Sequence, residues 1–349
     1  MEKVSVSIII PVYKTEEYIE KCINSVLKQT LKNIEIIFID DCGNDNSIKI
    51  VERYKENDNR IKIHYNEKNL GTAISRNNGI EAAVGEYIAF LDPDDWVDKN
   101  FYERLYIKAK KNNLDIVKAE RKAVFASNKI DKSSYNKNIA EGLKKGRSLA
   151  CVFTREFTTA IYKRNLVIEN NIKFPELSYS EDTIFLIQAT QFAKKFDTCN
   201  GTFYHYLQRE KSAVRNLDVN RFKSLTIWSR YCCEFINNFT CDKDSYIMLF
   251  EQIFSALVGN YSILRTDKTL KDYKKEYLEN LIDIYDSCKY KESIQKRTYQ
   301  ELFDALEQKN VLVLENTLEK YIIKEHLTNN GIKFLIKKLE SYIKIKLKK

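Results

Sequence analysis

Val4-Ser5-Val6-Ser7-Ile8-Ile9-Ile10-Pro11-Val12 is an apolar, β-branched run, and Glu16–Gln29 behind it places Ile19, Cys22, Ile23, Val26 and Leu27 at three- and four-residue spacing. The first pattern reads as a buried strand and the second as an amphipathic helix. The alternation repeats along the first hundred residues. Glu35–Asp40, Arg60–Tyr65 and Glu86–Leu91 read as strands; Asn46–Lys55, Thr72–Ala83 (stopped by Gly85) and Asp98–Lys111 read as helices. Strands that are continuously apolar rather than alternating belong to a mostly parallel sheet covered by helices on both faces, so the fold class is α/β. Ligands of such sheets bind beyond the carboxyl ends of the strands. The residues there are Pro11-Val12-Tyr13, Asp40-Asp41 and Asp92-Pro93-Asp94-Asp95.

Leu114–Ala119 reads as one more strand, residues 126–146 as loop-rich, and Ser180–Ala193 as a helix. From about 216 there is almost no strand or turn signal, which predicts five or six helices. Two domains are therefore expected, 1–215 and 216–349. The chain has 349 residues, 44% apolar and 31% charged, which excludes a disordered or fibrous class. No apolar run approaches the length of a membrane span, and the first residues lack the apolar core of a signal peptide. Eight Cys without a C-x-x-C pair, and three His, argue against zinc and for reduced, buried thiols in the cytoplasm. The net charge of +9 is unevenly placed: +5 over 1–215, −2 over 216–330 and +6 over 331–349. A nucleic-acid binder would spread such charge over its main domain, so no nucleic-acid partner is expected.

Five stretches could carry chemistry. In Asp92-Pro93-Asp94-Asp95 three carboxylates crowd a strand end. Either it is a solvated acidic turn with Asp98 as a helix cap, or a cation compensates the repulsion. The apolar strand before it and Trp96 after it favour the second, and carboxylates without His or thiolate partners suit Mg²⁺ or Mn²⁺. Asp40-Asp41-Cys42-Gly43-Asn44-Asp45 could present a carboxylate to a base or ribose, with Gly43 allowing a tight turn; as a helix cap it would leave two acids unexplained. Ser178-Tyr179-Ser180-Glu181-Asp182 opens a helix, where the macrodipole should keep Asp182 ionised. Asn69–Gly79 also opens a helix, with Arg76 about one turn in and Gly79 permitting close contact with the sheet. Neither a G-x-G-x-x-G fingerprint nor a P-loop occurs. Tyr204-His205-Tyr206-Leu207-Gln208-Arg209-Glu210-Lys211-Ser212 reads as an edge strand and a solvated loop that could close over a diphosphate.

Taken together these stretches resemble family 2 glycosyltransferases, nucleotide-sugar enzymes of the GT-A fold. The resemblance is carried by Val6–Tyr13, Gln29-Thr30, Ile39-Asp40-Asp41, Asn69 with Gly71, Arg76-Asn77-Asn78-Gly79, Gly85-Glu86-Tyr87, Asp92–Asp95 and Glu181-Asp182. It is dense over 4–98, sparse over 99–215 and absent beyond. Residues 40–47 look like the version found in bacterial surface-glycan enzymes, some of which transfer galactose. Pro93 and Cys42 depart from the commoner Ser and Gly.

The resemblance implies roles. Pro11, Tyr13 and Asp41 would hold the nucleotide of a UDP-sugar (UDP-galactose, UDP-glucose or an N-acetylated form). Arg76 would lie near its base or phosphate, and Asp92 near the ribose or sugar. Asp94 and Asp95, Asp95 most directly, would bind Mn²⁺ or Mg²⁺. Asp182 would be the catalytic base and Glu181 would help to place the acceptor. Arg209 and Ser212, with His205, would cover the diphosphate; Arg121 would contact donor or acceptor. The acceptor would be a glycan or lipid-linked glycan of the bacterial surface. In 331–349, Ile332, Leu335, Ile336, Leu339, Ile343 and Leu347 share one helical face among lysines, which fits either a peripheral membrane contact or packing on the helical domain. A nucleotidyltransferase would want a Gly-rich basic loop after the first strand, which Pro11–Thr15 is not. A non-catalytic glycan- or partner-binding protein would have no need of Asp94, Asp95 and Asp182 together.

Overall fold

A computed structural model of the chain describes residues 3–125, 130–132, 156–208, 219–238, 243–267, 270–295 and 300–329. The chain divides into two compact units, Met1–Ser224 and Leu225–Lys349. The boundary expected near 215 falls in a stretch outside the described residues.

The first unit begins as the sequence predicts. Strands β1 (Val6–Val12), β2 (Ile34–Asp40), β3 (Ile61–Tyr65) and β4 (Tyr87–Phe90) alternate with helices α1 (Ile19–Leu27), α2 (Ser47–Lys55) and α3 (Thr72–Ala82). The four strands pair in parallel in the order β3-β2-β1-β4. All seven residues of β1, and six of the seven in β2, are buried. Cover on both faces is why these strands lack polar alternation.

After β4 the sheet becomes mixed. Here lie β5 (Trp96–Val97), α4 (Phe101–Asn112), β6 (Ile116–Phe125), β7 (Ile130–Lys132), β8 (Ala160–Lys163), α5 (Arg164–Glu169), α6 (Glu181–Phe192) and β9 (Phe196–Gln208). The order continues β4-β8-β6-β9-β5, with β7 beside β6. Strand β8 runs antiparallel to both β4 and β6, and β6 is parallel to β9. Of the predicted loop 126–146, residues 130–132 form β7 and the rest lies outside the described residues. The stretch around Tyr204-His205-Tyr206 is not an edge strand. Trp96–Val97 pairs along its outer side, so it sits inside the sheet.

The second part of the chain is helical, as expected. Helices α7 (Val219–Asn238), α8 (Lys243–Leu264), α9 (Tyr273–Asp286), α10 (Lys291–Gln295), α11 (Gln300–Glu307) and α12 (Val311–Asn329) account for most of its described residues. In the second unit Leu257, Tyr261, Tyr277, Leu281 and Tyr285 are fully buried, and the Tyr277 hydroxyl donates to the Leu257 carbonyl at 2.9 Å. Among the described residues no helix is long and apolar enough to cross a membrane. Residues 331–349 lie outside them.

Helix α3 packs closely on β1. A Cβ at Gly79 would stand 2.3 Å from Ile9 Cγ2, so α3 lies as close to the sheet as a helix without a side chain there allows. Gly79→Ala should therefore destabilise the chain by about 1–3 kcal/mol. Denaturant unfolding checks this: the midpoint should fall with the m-value unchanged, and a midpoint equal to wild type would show that α3 can shift at no cost.

Candidate active site

The ends of β1, β2 and β4 and the start of α6 open onto one cleft of about 410 Å³. Pro11, Tyr13, Asp41, Arg76, Asp92 and Asp94 line it, together with Glu181 and Asp182. An adjoining recess of about 470 Å³ runs along Asn69–Ile74 and shares Tyr13, Asp41 and Glu181. Eight of the residues singled out in the sequence thus meet in one place, from positions up to 171 residues apart.

Four consecutive residues of α3 organise this convergence. Arg76 is buried; its Nη2 donates to Asp92 Oδ1 and its Nη1 to Glu181 Oε1, both at 2.9 Å. Its guanidinium also lies 4.7 Å from the Phe157 ring and 5.3 Å from that of Phe174. Asn77 clamps the backbone of Phe174, donating to its carbonyl and accepting from its N–H, both at 2.9 Å. Asn78 donates to Asn66 Oδ1 at 2.9 Å, and Asn66 donates in turn to Asp41 Oδ1 at 2.9 Å. Gly79 makes the close approach to Ile9.

Asp41 is nearly inaccessible, and beside Asn66 it accepts the backbone N–H groups of Leu70 (2.8 Å) and Gly71 (2.9 Å). Its carboxylate therefore shapes the loop that opens α3. In the turn after Asp41 the left-handed residues are Cys42 and Asn44, each at φ 56°. Gly43 serves close approach instead: a Cβ there would lie 2.7 Å from the Lys14 nitrogen.

The acidic turn divides its three carboxylates. Asp92 takes Arg76. Asp94 lines the cleft. Asp95, expected as the most direct metal ligand, is 1% exposed and does not line it. Its Oδ2 accepts the Tyr204 hydroxyl at 2.6 Å and its Oδ1 the Leu207 N–H at 2.8 Å. The physical reason is the partner strand: β9 brings a phenol and a free amide against that side chain. Burial first, then Asp94 and Asp92, holds the Asp95 carboxyl well above the usual carboxylate range. Burial and the same three acids raise the Cys22 thiol on α1 and the Tyr206 phenol.

His205 is also placed differently from expectation. It is absent from the cleft lining; its ring stacks on Trp96 at 5.2 Å and its Nε2 lies 2.7 Å from Asp98 Oδ1. Tyr206 and Leu207 line the cleft instead. Strand alternation turns Tyr206 to the face opposite His205. Arg121 pairs with Glu156 at 2.9 Å, beneath the Tyr206 ring. Arg209 and Ser212 lie outside the described residues. Tyr204, Tyr206, Asn66 and Phe174 were not singled out from sequence for these contacts; only the two tyrosines carried a signal, their two-residue spacing.

A sequence model described as glycosyl transferase family 2 matches residues 7–170. The chain is 33% identical over 231 residues to the putative glycosyltransferase EpsH of Bacillus subtilis, covering 64% of this chain and 67% of that one. It is 29% identical over 223 residues to the poly(ribitol-phosphate) β-N-acetylglucosaminyltransferase TarP of Staphylococcus aureus, covering 62% and 66%. The fold resembles the crystal structure of S. aureus TarS residues 1–349 in complex with UDP-GlcNAc, with a TM-score of 0.75, 21% identity and 92% of each chain covered. The chain belongs to glycosyltransferase family 2. Its sheet and helical C-terminal part match the GT-A architecture of that neighbour.

Two carboxyl groups with raised pKa values open α6. Thr183 donates to Asp182 Oδ1 through its N–H (2.7 Å) and its hydroxyl (3.3 Å). No described residue donates to the other oxygen. The dipole of α6 was expected to keep Asp182 ionised, but burial wins: its pKa is raised, burial first, with Arg76 and the Thr183 N–H opposing. Glu181 is raised likewise, by burial first, against Arg76. Raised acids hold their protons to higher pH in the folded chain, so this pair subtracts stability as pH climbs from the unfolded to the folded values. A base here becomes competent only above the ordinary aspartate range. The acidic limb of the pH–rate profile should therefore lie above that range, and Arg76→Gln, which removes the charge opposing the rise, should move it further up. Steady-state rates from pH 4 to 9 decide this; a limb unmoved by Arg76→Gln would show that the guanidinium does not act on the pair.

Proposed function

We propose that the protein transfers a sugar from a UDP-sugar to a hydroxyl group of a bacterial surface glycan, with inversion, in a single displacement. The observation that carries the reading is the meeting of Tyr13, Asp41, Arg76, Asp94 and Asp182 in one cleft. The likeness to a UDP-GlcNAc-bound TarS and to TarP, named as acting on poly(ribitol-phosphate), supports a UDP-sugar donor and a cell-surface polymer as acceptor.

The recess between Tyr13 and Asn69–Ile74 suits a base and ribose. Tyr13 is 42% exposed, and the loop held by Asp41 forms the wall. A divalent cation fits the acidic turn in a particular way. Among the described residues no three protein side chains form a metal cage. Mg²⁺ and Mn²⁺ commonly use one or two carboxylates and complete their shell with water and phosphate oxygens. Asp94, on the cleft wall, would hold the ion. Bound there, it would neutralise the charge of a departing nucleoside diphosphate. Asp182 would accept the acceptor hydroxyl's proton on the oxygen that Thr183 leaves open, and Glu181, fixed by Arg76, would help to place the acceptor. One displacement needs no carboxylate nucleophile, unlike a retaining glycosidase.

Asp182→Asn should lower turnover by roughly 10²–10⁴-fold while UDP binding, read by calorimetry, stays near wild type. Asp94→Asn should remove the dependence of UDP binding on MnCl₂. Release of UDP without pyrophosphate from a panel of UDP-sugars identifies the donor and separates sugar transfer from nucleotidyl transfer. An Asp182→Asn variant that kept most of its activity would overturn the assignment of the base.

The sequence pattern of 331–349 supports a peripheral contact with an anionic membrane. Deleting 331–349 should reduce sedimentation with phosphatidylglycerol vesicles at low salt, and unchanged sedimentation would remove the membrane from the proposal.

A further inference from the structure

The acidic turn is held from the far side by one strand. The Tyr204 side chain is fully buried, and its residue pairs with Val97 of β5. Its hydroxyl donates to Asp95 Oδ2 at 2.6 Å and accepts the Asp92 N–H at 3.2 Å. The second Asp95 oxygen accepts the Leu207 N–H at 2.8 Å, and the Asp95 N–H donates to the Asp92 carbonyl at 3.0 Å, closing the turn on itself. The first backbone donor of the turn and its last carboxylate are thus tied to a single phenol. Pro93 has a fixed φ and no N–H to redirect the chain between them. Asp94, the remaining residue, faces the cleft. Two residues further along the strand, Tyr206 faces the same cleft.

We propose that Tyr204 and Asp95 are positioning residues, a clamp from β9 that fixes the acidic turn and thereby places Asp94. The proposal rests on the reading of Asp94 as the metal-holding residue, and it separates two adjacent aspartates that sequence treats alike. One contacts the ion; the other only holds the backbone that presents it. It also makes β9 a shared support, since the strand that clamps the turn is the one that lines the cleft with Tyr206 and Leu207.

Two variants of the full chain test it, each first checked for a cooperative melt. Tyr204→Phe keeps the ring that packs edge-on against Phe101 at 6.4 Å and deletes only the bridging oxygen. Loss of a group that orients a metal ligand typically weakens metal response about 10–100-fold. The MnCl₂ concentration for half-maximal UDP binding should therefore rise at least about ten-fold, with acceptor KM little changed. Asp95→Asn can still accept from Leu207 and donate to the Tyr204 oxygen, so it should retain a metal response, whereas Asp94→Asn should have none. A wild-type metal response in Tyr204→Phe would overturn the clamp. So would an Asp95→Asn variant as silent as Asp94→Asn, because Asp95 would then be a ligand itself. Amide hydrogen exchange gives a reading independent of the reaction. The Asp92 N–H should exchange at least about ten-fold faster in Tyr204→Phe, and unchanged protection would overturn the clamp. If wild type showed no metal-dependent UDP binding while this exchange difference persisted, the clamp would stand and the metal reading of Asp94 would fall.

Discussion

One buried guanidinium holds the site together. Arg76 sits between Asp92 at the end of β4 and Glu181 at the start of α6, which lies 105 residues beyond Arg76 in the chain. Burial alone would weaken its charge, but Asp92 and Glu181 outweigh that and hold it above its usual value. The acids around it could not be gathered without it. A buried pair of this kind adds little net stability over an apolar replacement, because desolvation offsets attraction. Removing one partner is another matter, costing about 3–5 kcal/mol through the charges left behind. The interaction thus fixes geometry more than it stabilises the fold. Arginine is required for it: a planar fork can donate to two carboxylates in different directions, which an ammonium does less well.

Arg76 acts within a short helical segment whose neighbours repeat the pattern. Asn77 reaches Phe174 and so sets the loop that ends in Glu181 and Asp182. Asn78 reaches Asn66, and through it the Asp41 carboxylate that shapes the loop entering α3. Gly79 lets the helix lie against Ile9. Successive side chains on a helix point about 100° apart, so four in a row sample every direction around the axis. A helix pressed onto the sheet at the carboxyl ends of its strands can therefore address both loops and the acidic turn at once. That is the physical content of the Arg-Asn-Asn-Gly sequence.

This explains which parts of the protein were legible beforehand. Strands β1–β4 and helices α1–α4 are legible in the sequence, because continuously apolar parallel strands and amphipathic helices carry their pattern within their own residues. The two-residue β5 is not legible, nor are β8 and α5, where strand passes into helix at Lys163–Arg164 with no residue between them. The site residues were legible as types and as neighbours of strand ends. Their partners were not. Arg76 reads as an ordinary helix arginine until Glu181 arrives from another loop. Asp94 and Asp95 are indistinguishable until Tyr204, 109 residues beyond Asp95, claims one of them. His205 and Tyr206 differ only in which face of β9 they occupy, and the register of β5 on β9 decides that.

Opposing effects combine at Asp182, the proposed base. The start of α6 favours its charge and burial disfavours it; burial is the larger, and the pKa rises. A carboxylate with an ordinary pKa is a poor proton acceptor near neutrality, so a rise improves it, provided the group still ionises. Arg76 supplies that limit without touching Asp182. Its Nη2 and Nη1 bond Asp92 and Glu181, and no bond runs from it to Asp182, so it lowers the Asp182 pKa through the field alone. A direct bond from Arg76 would have occupied a lone pair and stabilised the anion too well to accept a proton. Both Thr183 donors converge on Oδ1, which orients the carboxylate and leaves the other oxygen for chemistry. Glu181 bonds Nη1 of that guanidinium while Asp182 does not, which in the proposed reaction gives the order Glu-Asp at the head of this helix a physical reason.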